Sequence, residues 1–170
     1  MILELFGALL IIVGCGSFGF LMTVAHRKEV NSLKQLVCIL EYMKCSLQHQ
    51  MLPLADICRN VNSKFTGNIS KVFLLLAEEL DNQVAPSVEI CMVAALNKCN
   101  DIPNRTYGVL VTLGKRLGDF GLEGQLRGID TVHAECRDIL KSCTKDQDSR
   151  LRAYQTFSIC VGVAVAILIV

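Results

Sequence analysis

Cysteine and histidine are the side chains of this chain best suited to chemistry. Its 170 residues carry nine Cys and three His. Cys38 and Cys45 stand seven apart, as do Cys136 and Cys143. Seven residues make two helical turns, so each pair shares a helix face. Two antiparallel helices could bring Cys45 and His49 against His133 and Cys136. Two thiolates and two imidazoles are a donor set for tetrahedral zinc. The short Cys spacings of a metal knuckle are absent, however, and a free Cys ordinarily packs as a small hydrophobe. A membrane-anchored metal or redox sensor built on Cys45, His49, His133 and Cys136 is therefore the alternative reading.

Other constellations carry less. Gly108 to Arg116 resembles a phosphate loop, but five residues separate Gly108 from Gly114 and Arg116 replaces the required Ser/Thr. Asn68-Ile-Ser70 and Asn104-Arg-Thr106 match glycosylation tripeptides, which arise often by chance. His26, His49 and His133 are scattered, with no nucleophile and orienting group at readable spacing, so no catalytic activity and no cofactor are expected. Lys115, Arg116, Asp119, Glu123, Gln125 and Arg127 instead form a charged cluster around one turn. That turn is the expected partner-binding surface. Seventeen Lys+Arg against sixteen Asp+Glu leave a formal charge of +1, which excludes nucleic-acid binding by bulk electrostatics.

The elements that must position these residues read as helices throughout, making the fold class all-α. A long helix through residues 26–50 places Val30, Leu33, Val37, Leu40, Cys45 or Met43, and Leu47 at three- and four-residue steps. Pro53 opens a second helix with Leu54, Ile57, Cys58 and Val61 on one face. After a turn at 65–68, a central third helix covers about 69–82 with Val72, Phe73, Leu75, Leu76 and Leu80. Pro86 opens a fourth helix through Lys98, and a fifth runs over about 104–117. The last helix is the longest, with a heptad-like seam of Leu122, Leu126, Ile129, His133, Cys136, Leu140 and Cys143.

Both long helices continue into apolar ends. Every Lys and Arg lies between Arg27 and Arg152, and Glu4 is the one charged side chain outside that stretch. Residues 1–25 are long enough to cross a hydrocarbon core of about 30 Å. Residues 153–170 reach about 25 Å as a helix and would stand nearly upright. Basic flanks at His26, Arg27 and Lys28 and at Arg150 and Arg152 stay on the cytoplasmic side, which places residues 26–152 there as a helical bundle. A cytoplasmic thiol set disfavours disulfides. If both stalks leave the bilayer at one height, residues whose numbers add to about 178 are level. Cys45 then faces His133. The charged turn sits about 36 Å up, at the far tip, where four short helices join the stalks.

The order of these elements resembles the stage III sporulation protein AB family of spore-forming Firmicutes. The residues that carry it are the N-terminal apolar helix with its basic flank, Pro53-Leu54-Ala55, Phe73 to Leu80, Gly114-Lys-Arg-Leu117-Gly118, Gln125, and Tyr154 before the closing apolar run. Gly121 stands where the family usually has an Asp that caps the last helix. The resemblance implies a helical bundle like the cytoplasmic domains of type II secretion F platform proteins. It implies a non-enzymatic, two-pass platform in the mother-cell membrane facing the forespore, within the engulfment-stage channel complex. The implied partners are a stage III sporulation protein AA-like ATPase, other subunits of that complex and the lipid bilayer.

Overall fold

The computed structural model describes the backbone of residues 2–50, 52–82, 87–118 and 121–169, and the side chains of 24–49, 52–82, 87–118 and 121–145. Among them are six helices and no strand: α1 Ile2–Gln50, α2 Leu54–Lys64, α3 Asn68–Asp81, α4 Val88–Lys98, α5 Asn104–Leu117 and α6 Leu122–Ile169. Each break has a local cause. The Pro53 carbonyl accepts from Asp56 N at 3.0 Å and Ile57 N at 3.1 Å to start α2. Pro103 starts α5 the same way, through Tyr107 N at 2.8 Å. Gly67 and Gly121 sit at φ +118° and +102°, a region that Cβ-bearing residues rarely enter, and their carbonyls receive the first bonds of α3 and α6. The start of α6 is thus a backbone device, and Gly121 replaces the acidic cap.

α4 departs from expectation. It begins at Val88, with the Ser87 hydroxyl accepting Ile90 N at 3.4 Å. A Ser side chain can satisfy an orphan donor of the first turn, so Pro86 is not needed to open the helix. Pro86 itself lies outside the described residues.

The core gathers one stripe from every helix. On α1 it runs from Val30 through Leu33, Leu36, Ile39, Leu40 and Met43 to Leu47. Phe73 of α3 is the largest fully buried side chain. The structure settles three positions. Met43 and not Cys45 belongs to the core, because Cys45 points outward. Val132 joins the α6 seam. Leu122 is 40% exposed, because the seam reaches past the elements that could cover its first turn.

The placement of the short helices is also corrected. They run beside α1 instead of gathering at its far end. Gln35 donates to the Thr66 carbonyl at 2.6 Å, Lys28 pairs with Asp101, and Glu29 Oε1 accepts Arg105 N at 3.3 Å. The turn at 99–103 therefore hangs at the level of Lys28. At the other end of α5, Gly114 lies against Met92 and Glu89, near the start of α4. The cause is the length of the α1 stripe. Its apolar face starts at Val30, and every turn of it needs covering.

α1 and α6 pack antiparallel, but out of the expected register. Lys44 pairs with Asp130 at 2.6 Å and Glu41 with His133 at 3.1 Å, about one turn from the expected match. Nearer the apolar ends, Cys136 Sγ donates to the Leu33 carbonyl at 3.6 Å, and His26 Nε2 lies 3.1 Å from the Cys143 carbonyl. Those pairs put Arg27 at the level of Cys143 and not of Arg152. At this end the register of α1 on α6 departs from the expected one by about nine residues.

Candidate docking site

The thiol and imidazole set does not assemble. Cys45 and His49 are exposed on α1, Cys136 is buried against Leu33, and His133 is engaged by Glu41. Among the described residues no three His, Cys, Asp or Glu side chains converge where a metal ion could be held. The four residues are thus not gathered into a metal centre. The cause is the register: the offset carries His133 to Glu41, one turn below Cys45.

The shared-face reading of the cysteine pairs does hold. Cys38 and Cys45 lie together on the outer face of α1, and Cys136 and Cys143 together on the inner face of α6. Burial pushes the Cys58 thiol up to about 12, against a small opposing pull from Arg59. Burial, with a smaller push from Glu135, raises Cys136 to about 11. Desolvation disfavours the thiolate, so these two are packing residues and poor nucleophiles.

The charged end is built by two glycines. A Cβ on Gly114 would stand 2.6 Å from Met92 Cβ, so the glycine lets α5 close on α4. A Cβ on Gly128 would stand 2.9 Å from Arg116 Cβ and 3.0 Å from the Arg116 carbonyl, so α6 closes on α5 at the same end. This is a physical reason for Gly114 within the Gly114–Gly118 run. Lys115 and Arg116 emerge there exposed, with no ion-pair partner among the described residues. Glu123 and Arg127 pair across one turn at 3.2 Å, both largely in water, a contact of about 0.3–0.5 kcal/mol. Gln125 is half-buried, and Asp119 lies outside the described residues.

Two residues at this end escape the sequence reading. Ile90 is 51% exposed on the first turn of α4, and Leu122 opens α6. Apart from Val24, at the end of the first apolar segment, they are the large apolar side chains left open among the described residues. The reason for Ile90 is visible only in the fold: α4 buries Cys91, Met92, Ala95 and Leu96, and Ile90 falls on the opposite side of that stripe.

The described residues form an all-helical bundle with a charged end. The particular family follows from comparison. The model of the family "Stage III sporulation protein AB (spore_III_AB)" matches residues 4–170, and the chain belongs to that family. A solved structure of a stage III sporulation protein AB superposes with a TM-score of 0.63 at 18% identity, covering 72% of this chain and 98% of that one. At that identity the likeness speaks for the fold. No curated protein sequence matches.

Proposed function

We propose that this stage III sporulation protein is a two-pass membrane platform whose bundle, residues 26–152, faces the mother-cell cytoplasm and docks a secretion-type ATPase of the stage III sporulation protein AA kind. The platform works mechanically and without chemistry of its own. Other subunits of the same complex pack against its spans, residues 1–25 and 153–170, in the membrane that faces the forespore. Most of these two segments lies outside the residues whose side chains are described; within those residues no helix is long and apolar enough to cross a membrane. The reading of spans rests on the unbroken helical backbone of α1 and α6 through both segments, together with their composition.

The observation that carries docking is the coincidence, at one end of the bundle, of exposed Ile90 and Leu122 with unpaired Lys115 and Arg116. Exposed Ile90 and Leu122 each supply apolar contact area, and the cations select a partner with carboxylates around its socket. Capture of the ATPase by full-length protein in nanodiscs tests this. Lys115→Glu with Arg116→Glu lowers capture at least about tenfold, and Ile90→Asp does the same by desolvation. Undiminished capture by both the double variant and Ile90→Asp removes this end from consideration.

A further inference from the structure

The register of the two long helices fixes how near the bilayer can come to the bundle. His26 Nε2 lies 3.1 Å from the Cys143 carbonyl, and Cys136 Sγ donates to the Leu33 carbonyl at 3.6 Å. At this end, therefore, residues of α1 and α6 whose numbers add to about 169 are level. Both helices continue past this level toward their apolar ends without a break.

The two continuations are unlike. Phe18 to Ala25 of α1 hold no charge, whereas α6 carries Lys145, Asp146, Asp148, Arg150 and Arg152 before its apolar run. At 1.5 Å per residue, Asp146 and Asp148 stand about 4.5 and 7.5 Å beyond Cys143, toward the lipid, and Arg150 and Arg152 about 10.5 and 13.5 Å. A charged side chain in hydrocarbon is costly, so the hydrocarbon begins no nearer the bundle than Arg152. The same depth on α1 is reached at Ser17. The order of the α6 charges points the same way. The headgroup layer is about 5–7 Å deep, so it extends from Arg152 to about Asp148. It takes in both arginines and leaves Asp146 and Lys145 in water.

We propose that Arg150 and Arg152 bind the phosphates of lipid headgroups and set the depth of the chain, so that α1 leaves the hydrocarbon near Ser17, inside its apolar segment and not at its end. The occupant is the lipid and not a free anion, because the apolar run of α6 starts directly after Arg152 and keeps the pair at the bilayer surface. An anionic leaflet strengthens the hold. Residues 2–17 of α1 and 153–169 of α6 remain for the hydrocarbon, nearly equal stretches that a bilayer meets by thinning slightly. Residues 18–25 of α1 and 144–152 of α6 form a neck. The turn at 99–103, level with Lys28, then stands about 16 Å from the hydrocarbon and clear of the headgroups. The docking end is raised with it, about 12 Å farther from the lipid than the composition of α1 implies. The proposal rests on the two-span reading of the previous section and moves its boundary on α1.

The chain has no Trp, so a single introduced Trp reports depth without background. Full-length Val13→Trp and Met22→Trp are placed in phosphatidylcholine vesicles holding about one third phosphatidylglycerol, with and without bromine on the acyl chains. Bromine should quench Val13→Trp at least about threefold more than Met22→Trp. Adding Arg150→Gln and Arg152→Gln should raise the quenching of Met22→Trp at least about twofold, as the apolar neck of α1 sinks into lipid. Equal quenching at the two positions, with the chain resistant to carbonate extraction, overturns the boundary and leaves the spans intact. Quenching that the arginine substitutions do not change overturns the pair as the anchor, and a contrast erased by inorganic phosphate overturns the lipid as its occupant. Release of the chain by carbonate overturns the two-span reading, and this proposal with it.

Discussion

Burial sets two pairs of thiols apart among the described residues. Cys38 and Cys45 are open to water, whereas Cys58 and Cys136 are enclosed and hold their protons to about 12 and about 11. At pH 8, iodoacetamide should modify Cys38 and Cys45 at least about 100-fold faster than Cys58 and Cys136, as read by peptide mass spectrometry, and denaturant should abolish the difference. The same burial sets a pH limit. In the unfolded chain these thiols ionise near 9.0, and in the folded chain near 11 to 12. Between those values the unfolded state has lost protons that the folded state still holds, so stability falls as pH rises above about 9. Chemical denaturation from pH 7 to 10.5 should show that decline, and Cys58→Ala with Cys136→Ala should flatten it. The sequence made the shared faces of the cysteine pairs legible, because two turns of helix follow from spacing alone. It could not tell which face was the inner one on α1, where Met43 and Cys45 compete within one turn.

At the scale of the helices, close approach is what the glycines provide, and it is uneven. Gly114 meets Met92 Cβ and the Glu89 backbone, while nothing lies within 4 Å of a Cβ built on Gly108. Gly114→Ala should therefore cost about 1–3 kcal/mol, because α4 must move as a body. Gly108→Ala should gain up to about 1 kcal/mol from helix propensity alone. Urea titration of the two variants, on one α-helix and with one chemical change, checks the contrast; equal effects would show that α4 and α5 are not packed as described. Helix ends were readable from Pro53, Gly67, Pro103 and Gly121, because each changes the backbone locally. The register of α1 on α6 was not. It depends on where the stripe starting at Val30 finds its cover, and a whole-fold packing solution sets that.

For the whole molecule, both ends of the bundle now have distinct surfaces: Ile90, Leu122, Lys115 and Arg116 at one, and Arg27, Lys145 and the 99–103 turn at the other. The family and the all-helical architecture were legible from element order. The exposed apolar pair was not, because an apolar residue in a helical sequence reads as core until its neighbours are known. The polarity of this arrangement makes sense if the bundle is held at the membrane by one end and meets a soluble partner with the other. Cys38 and Cys45, exposed on the C-terminal third of α1, report on that directly. A membrane-impermeant maleimide added to intact cells should leave both unlabelled and should label both after the membrane is opened. Labelling of Cys38 and Cys45 from outside intact cells would place the bundle on the other side and contradict the account.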